Sequence, residues 1–161
     1  MEYNIVTVWH IEAPLETVYE LISQSMNWPQ WWCNVKSVEE IASGDTKGIG
    51  NIRRYTWQGV LPYRLIFDIC VTHIEPQVVI EGIASGDLEG NGRWSFSSHE
   101  TMTIVRYEWQ VRTTSFWMNM LELFAYPLIK WNHNLVMRQG GKALAHKLNS
   151  RLIRVAHYSR R

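Results

Sequence analysis

The sequence predicts an α+β fold in which a curved antiparallel sheet is covered by one long C-terminal helix. Three observations predict it. A strand and a short helix open the chain, residues 49–112 read almost entirely as strands and turns, and a helix begins near Trp117 and runs close to the end. An antiparallel sheet with one apolar face needs a covering element, and only this helix is long enough. Because a curved sheet around one helix rarely fills completely, we expect an internal cavity.

The N-terminal segment predicts one strand followed by two short helices. Residues 3–12 are rich in β-branched and aromatic side chains, which favour a strand. Pro14 suits the first position of a helix, and apolar residues at helical spacing extend that helix to about Ser23. Residues 27–32 contain three tryptophans. We predict a second short helix there, because the segment is too apolar for a solvated loop.

The middle of the chain predicts successive strands over residues 52–57, 63–74, 78–84, 93–98 and 101–111. Residues 86–92 contain three glycines with Asp87 and Asn91, and this composition predicts a turn. In the last strand Val105, Tyr107 and Trp109 alternate with charged or polar residues, so one face points inward and the other meets water.

The long helix changes its apolar side midway. At 100° per residue, one face carries Tyr126, Lys130, His133, Met137, Gly140, Gly141, Leu144 and Leu148, and the opposite face carries Phe124, Leu128, Trp131 and Leu135. The inner stripe is therefore partly polar in the first half and apolar in the second. We interpret the first half as facing a wet or ligand-filled space, although a bend at Pro127 would also realign the two faces.

Length and composition predict one ligand-binding domain over residues 1–150 and a basic tail over 151–161. The chain has 161 residues, 46% of them hydrophobic and 19% charged, which is ordinary for a globular domain. Neither a signal peptide nor an apolar run of the ~20 residues needed to span a membrane is visible. Cys33 and Cys70 read as buried, reduced thiols, so we expect a cytoplasmic protein.

Charge is distributed unevenly along the chain. All 15 acidic residues lie at or before Glu122, whereas eight of the 16 basic residues follow it. One interpretation is a basic helix lying against an acidic body, with cations favoured near a helix C-terminus. The alternative is peripheral contact of the basic C-terminal helix and tail with an anionic membrane. Nucleic acid is not expected as a partner, because no binding motif accompanies the charge.

The residues at several junctions resemble those of the polyketide cyclase/dehydrase and lipid-transport (START-like, SRPBCC) superfamily. The matching segments are residues 11–19, Trp28 to Trp32, Gly86 to Gly90 with Arg93 and Trp94, and Trp131 to His133 with Val136 and Met137. The resemblance covers about residues 3–148. It implies a helix-grip fold, with a seven-stranded antiparallel sheet wrapped on the last helix and a hydrophobic cavity between them. Members bind lipids, hormones, quinones and polyketides, and some are enzymes.

Aromatic residues are the main candidates for lining that cavity. Aromatic walls bury large areas with few rotatable bonds, and Tyr and Trp keep a polar tip. The candidate ligand-binding residues are Trp57, Phe67, Trp94, Phe96, Tyr107, Trp109, Tyr126, Lys130, His133 and Met137. For each of them, packing in the core is the competing interpretation. Arg54, Arg64 and Arg93 read as surface residues, although cyclases of the family place an arginine in the cavity.

Two functions follow from this set. The preferred one is non-catalytic binding or transport of a hydrophobic small molecule, such as a lipid, a quinone or a polyketide-like aromatic compound. The alternative is a cyclase or dehydratase that uses His133 and Tyr107 as acid–base groups. No nucleophile elbow, phosphate loop or paired histidine spacing is visible, so neither a metal nor a cofactor is expected. A third possibility is an interaction module that recruits a partner through its tail.

Overall fold

The computed structural model describes residues 2–159, except for the side chains of residues 121–123. In chain order the elements are β1 (Glu2–Ile11), α1 (Leu15–Ser23), a 3₁₀ helix (Ser25–Gln30), β2 (Val35–Ala42), β3 (Ile52–Trp57), β4 (Leu65–Glu75), β5 (Val79–Gly86), β6 (Leu88–His99), β7 (Met102–Thr113), α2 (Phe116–Lys147) and β8 (Leu152–Ser159). The two short helices after the first strand and the start of α2 lie where the sequence predicts them, but α2 ends at Lys147 and does not run close to the end of the chain.

The strands form one antiparallel sheet in the order β2-β3-β4-β5-β6-β7-β1-β8. Strand β1 lies between β7 and β8 and pairs with both, so that β2 and β8 are the two edges of the sheet. The predicted α+β helix-grip class is confirmed, with eight strands in the described residues instead of seven.

The additional strand comes from the segment that the sequence analysis treats as a basic tail. β8 follows α2 after a short turn at Asn149, and it pairs with β1 from Leu152 to Ser159. An ion pair of 2.8 Å between Arg151 and Glu12 holds the start of this pairing. The last two basic residues, Arg160 and Arg161, lie outside the described residues. Strand propensity at Ile153, Val155 and Tyr158 outweighs the positive charges, because an edge strand keeps one side in water.

The predicted turn over residues 86–92 is much shorter in the structure. β5 ends at Gly86 and β6 begins at Leu88, so most of the segment is strand. Gly90 is needed because a Cβ at this position would lie 2.1 Å from the carbonyl oxygen of Gln110 on β7. The glycines therefore serve close approach between strands as well as the turn itself.

Helix α2 continues through Pro127 and presents two different faces. Met137, Gly140, Gly141 and Leu144 are buried against the sheet, whereas Phe124, Leu128 and Trp131 are exposed. In the second half, a Cβ on Gly140 would lie 2.2 Å from the ring of Trp32, so only glycine permits this approach. The second half of α2 is thus packed tightly on tryptophan rings, and the space that remains lies beside the first half.

Candidate functional site

An apolar chamber lies between the first half of α2 and the concave face of the sheet. The centre of a water molecule can reach about 110 Å³ of it, and the whole empty space, its open mouth included, is about 880 Å³. One water needs about 10–15 Å³ on the first measure, so the chamber has room for a molecule of several heavy atoms. Its walls are mostly aromatic and aliphatic, and they include Tyr3, Trp28, Trp32, Trp57, Phe67, Leu88, Trp94, Tyr107, Trp109, Met118, Ile129, Val136 and Met137.

Stacked aromatic rings form the floor of this chamber. The Tyr107 ring lies 4.0 Å from that of Trp94 and 5.5 Å from that of Trp109, with interplanar angles of 21° and 26°. The three residues alternate inward on the paired strands β6 and β7, where Trp94 is directly opposite Tyr107. Strand pairing therefore builds a shelf of nearly parallel rings, which suits contact with a planar apolar group.

A second chamber adjoins the first and has a polar end. Trp28, Trp57, Phe67, Trp94, Tyr107 and Trp109 line both, so these side chains form the partition. At the far end Arg53 donates through Nη1 to the Ser25 hydroxyl at 2.8 Å, and that hydroxyl lies 2.7 Å from the Tyr55 hydroxyl. The Arg53 Nε is buried and has no hydrogen-bond partner among the described residues. This end of the cavity can hold an oxygen atom of a ligand.

His133 projects from α2 into the wall of the first chamber. Burial lowers the pKa of His133 to about 4, because the charged imidazolium loses its water. Its Nδ1 is buried without a hydrogen-bond partner in the described part of the chain. The side chain is therefore neutral near pH 7, where it can orient a polar group of a ligand but is a weak proton acceptor.

Two other polar groups reach the aromatic walls. Burial raises the pKa of Tyr107 well above its usual value, so its hydroxyl stays protonated and can donate a hydrogen bond. The Trp57 Nε1 is buried and unpaired among the described residues. An unpaired buried donor costs about 1–3 kcal/mol, which an acceptor on a ligand would relieve.

The loop of residues 58–64 and α2 together form one side of the first chamber, which is named here the mouth. Its half-buried lining residues Gly59, Tyr63 and Ile129 belong to these two segments. The buried Asn132 side chain joins them, because its Oδ1 accepts hydrogen bonds from the Val60 and Leu61 amides at 2.9 and 3.4 Å. The angular position of Asn132, about 100° from His133, predicts a structural bond to a loop, but the sequence does not identify this loop, which lies about 70 residues earlier.

Seven of the ten candidate residues line the cavity and three lie elsewhere. Trp57, Phe67, Trp94, Tyr107 and Trp109 line both chambers, and His133 and Met137 line the first. The three outside the lining are Phe96, Tyr126 and Lys130.

Each of these three has a different neighbour. Phe96 packs edge-on against Tyr19 of α1 at 5.1 Å, near the other end of β6. Tyr126 stacks on Tyr3 at 5.2 Å. Lys130 donates to the Ser159 hydroxyl on β8 at the surface, because an ammonium group stays in water at the edge of a helix face. Phe96 and Tyr126 therefore pack outside the cavity lining, and Lys130 joins α2 to β8.

The arginine that borders the cavity is Arg53, which the sequence analysis does not select. Arg54 pairs with Asp68 at 2.8 Å, and Arg93 pairs with Glu81 at 3.4 Å, both at the surface. Arg64 donates to Gln58 in an exposed position. The alternation of side chains along β3 could have identified Arg53, because it places this residue on the same face as Tyr55 and Trp57.

Two further expectations concern thiols and metals. Both cysteines are free, but neither is fully buried as expected: Cys33 is exposed, because it lies in the loop just after the 3₁₀ helix, and Cys70 on β4 is half-buried. Within residues 2–159 there is no group of three His, Cys, Asp or Glu side chains placed to hold a metal ion. No helix in this part of the chain has the length and apolar character needed to cross a membrane.

The comparisons with known proteins agree with this architecture. A family model described as polyketide cyclase/dehydrase and lipid transport matches residues 11–130. No curated protein matches the chain in sequence. A START superfamily protein from Mycobacterium smegmatis has 16% identity and a TM-score of 0.71, with 91% of this chain and 97% of that chain covered.

Two solved structures carry more specific names. The di-domain ARO/CYC protein BexL from the BE-7585A biosynthetic pathway has 16% identity and a TM-score of 0.72, with 93% of this chain and 51% of that chain covered. The aromatase/cyclase Zhui from Streptomyces sp. R1128 has 12% identity and a TM-score of 0.58, with 88% and 95% covered. At these identities the likeness shows the fold.

Proposed function

The chain belongs to the polyketide cyclase/dehydrase and lipid-transport family, and from this premise we propose that it binds a planar hydrophobic small molecule without transforming it. A quinone or a polyketide-like aromatic compound fits this description better than a flexible lipid chain. The observation that carries the proposal is the shelf formed by Trp94, Tyr107 and Trp109, whose nearly parallel rings border both chambers.

The few polar groups of the cavity favour a ligand with a hydrogen-bond acceptor. Trp57 Nε1 is an unpaired donor in the described structure, and the Tyr107 hydroxyl is held in its protonated form. A ligand carbonyl beside either donor would restore a hydrogen bond that burial removes. A ring system with at least one carbonyl group therefore matches both the shape and the polarity of the site.

The acid–base properties favour binding over catalysis. A catalytic acid or base works best with a pKa near the working pH. The pKa of His133 is about 4, and that of Tyr107 is shifted upward by burial, so neither is suited to proton transfer near pH 7. No ion pair or hydrogen bond among the described residues joins these two side chains into a relay.

One observation favours the second candidate function, a cyclase or dehydratase. Arg53 presents a buried, unpaired Nε at the polar end of the second chamber, beside Ser25 and Tyr55. A fixed guanidinium can stabilise an enolate oxygen as charge develops on it. If this candidate is right, a linear poly-β-ketone thioester should lose water in the presence of the protein, and Arg53→Gln should stop the reaction.

The binding proposal is tested with a matched pair of planar probes. We expect 9-fluorenone, which has a carbonyl group, to quench tryptophan fluorescence and to bind about tenfold more tightly than fluorene, since one hydrogen bond to a donor is worth about 1.4 kcal/mol. Trp57→Phe keeps an aromatic ring and removes only the donor, so it should bring the two affinities together. Trp131→Phe, on the outer face of α2, is the control and should change neither.

Three results would count against binding of a planar carbonyl compound. Neither probe binds in the micromolar range; a fatty acid of similar size binds much better than both; or Trp57→Phe and Trp131→Phe have the same effect. Urea unfolding of each variant shows whether a loss of binding reflects a loss of structure.

A further inference from the structure

The outer face of the first half of α2 carries an exposed row of large apolar side chains, named here the outer stripe. Its members are between 47% and 86% exposed, and they are six of the fourteen exposed large hydrophobic residues in the described part of the chain. They are Phe116, Trp117, Met120, Phe124, Leu128 and Trp131. Soluble proteins rarely expose so many large apolar groups together unless the surface binds something.

The geometry of the outer stripe is that of a ridge. At 100° and 1.5 Å per residue, its members lie within about 120° of the helix circumference and extend over about 22 Å. It is opposite to the face that carries Met118, Ile129 and His133 into the cavity. The stripe therefore lies on the other side of the helix from the chamber, although Trp117 at its edge packs on Tyr63 of the chamber lining.

The same face of the helix becomes basic in its second half. Arg138 and Lys142 are exposed and fall at the angular position of the stripe, followed by His146. None of the ion pairs recorded for the described residues involves Arg138 or Lys142. One continuous surface thus presents aromatic side chains first and unpaired cations after them.

We propose that this face docks on the surface of an anionic phospholipid bilayer. A helix of this type lies in the plane of the interface, with its aromatic and aliphatic side chains among the acyl chains and its cations at the headgroups. Tryptophan and phenylalanine suit that boundary, and exposed basic residues are attracted to anionic lipids. An anionic bilayer therefore matches both the apolar stripe and the basic residues that follow it.

A second copy of the chain satisfies them less well. Two copies packed along the whole face in parallel would place Arg138 and Lys142 against the same cations of the partner. An antiparallel arrangement would place these cations against the partner's apolar stripe. Both arrangements cost electrostatic or desolvation energy, whereas an anionic bilayer offers apolar and charged layers in the order that the helix needs.

The mouth of the first chamber lies near the proposed docking surface. Val60, which is 60% exposed, lies on the loop that Asn132 ties to α2, beside the mouth. Docking through the first half of α2 would bring that mouth close to the bilayer. A hydrophobic ligand could then pass between membrane and cavity with little exposure to water.

The test measures flotation of the full chain with lipid vesicles in the absence of any cavity ligand. Vesicles of phosphatidylcholine with about one-third phosphatidylserine should bind the protein, pure phosphatidylcholine should bind it much less, and added salt should weaken the binding. The double variant Phe124→Ser with Leu128→Ser should reduce binding about tenfold, as should Arg138→Glu with Lys142→Glu.

Matched controls separate docking from other effects. Lys36→Glu with Lys47→Glu makes the same change in net charge at exposed sites on other elements, and Ile66→Ser removes another exposed apolar side chain. Both should bind vesicles as the wild type does. Fluorenone binding in solution should be unchanged in Phe124→Ser with Leu128→Ser, so failure of docking and failure of the cavity proposal are distinguishable.

The proposal is overturned by any of three outcomes. The wild type does not float with anionic vesicles; the stripe and charge variants bind as well as their controls; or the wild type sediments as a dimer that Phe124→Ser with Leu128→Ser converts to monomer. The last result would assign the outer stripe to a second copy of the chain.

Discussion

The two halves of α2 differ in how closely they pack on the rest of the fold. The second half packs so closely that Gly140 contacts the ring of Trp32, in the segment before β2, and Gly141 contacts the ring of Trp9 on β1. The first half stays farther away, and the chamber lined by Met118, Ile129 and His133 occupies the difference. The cavity is therefore the part of the interface between helix and sheet where the side chains do not fill the space. Close packing at the other end holds the helix in place.

The outer, solvent-facing sides of the two halves of α2 also differ in their chemistry. Above the chamber the outer face is apolar and exposed, whereas above the close-packed end it carries Arg138 and Lys142. Composition alone therefore does not separate core from surface on this helix. The proposed ligand binding uses mainly the inner face of the first half, whereas the proposed docking uses the outer face of both halves.

The largest effect that we expect from this contrast is the pH dependence of stability caused by His133, at the boundary between the halves. The pKa of His133 is about 4 in the folded protein and near 6.5 when unfolded. Between these values the unfolded chain binds a proton that the folded protein does not, so stability falls as the pH falls. The full contribution is present above pH ~6.5, and about 3 kcal/mol is lost by pH ~4.

Urea unfolding between pH 7 and pH 4 measures this loss. The variant His133→Gln should have a markedly flatter profile, and His99→Gln, at an exposed position, should keep the wild-type slope. Burial also lowers the pKa of His157, which adds a smaller loss in the same direction and remains in both variants. Equal slopes in His133→Gln and wild type would mean that this histidine is hydrated and that the chamber is wetter than its lining indicates.

The next effect concerns the close-packed half. In Gly140→Ala the new Cβ would lie 2.2 Å from the Trp32 ring, whereas in Gly141→Ala the nearest atom, Trp9 Nε1, is 3.0 Å away. Overpacking costs about 1–3 kcal/mol, and alanine in place of glycine returns up to about 1 kcal/mol of helix propensity. We expect Gly140→Ala to lose about 2 kcal/mol of unfolding free energy and Gly141→Ala to be nearly neutral.

The urea midpoints of the two alanine variants measure this difference directly. The pair shares residue type, helix and substitution, so a difference between them reports the distance to the tryptophan ring. If both variants are as stable as the wild type, the second half of α2 is not held by close contact, and the contrast between the halves is lost.

The sequence predicts those helices and strands whose apolar residues recur at regular spacing, and it misses those in which charged residues interrupt the spacing. The inner and outer faces of α2 follow from 100° per residue, because the helix is long enough for the pattern to repeat. Strand β2 escapes the sequence analysis because Lys36, Glu39 and Glu40 interrupt its apolar alternation, and its pairing with β3 contains two irregularities. β8 escapes for a similar reason, since arginines dominate the segment that contains it.

Sequence patterns predict the site residues that can be identified within a single strand or helix. They do not predict the contacts between two elements that are distant in sequence. Alternation along β6 and β7 identifies Trp94, Tyr107 and Trp109. The contact of Arg53 with Ser25 joins residues 28 positions apart, and that of Asn132 with Val60 joins residues 72 apart. Local patterns contain no information on such pairs, because the register between the elements decides which side chains face each other.

The smallest effect concerns the mouth, where Asn132 holds the loop of residues 58–64 on the first half of α2. Asn132→Ala removes an acceptor from the Val60 and Leu61 amides and should cost about 1 kcal/mol of local stability. Hydrogen exchange at those two amides should then accelerate about fivefold, while amides around Gly140 keep their rates. Tyr63→Phe is the matched control, because it deletes only the more distant partner of Asn132 Nδ2, at 3.4 Å, and leaves Oδ1 in place. If the loop amides exchange equally in both variants and the wild type, the Asn132 hydrogen bonds do not hold the loop, and the packing of Tyr63 on Trp117 is the remaining contact between the loop and α2 to test.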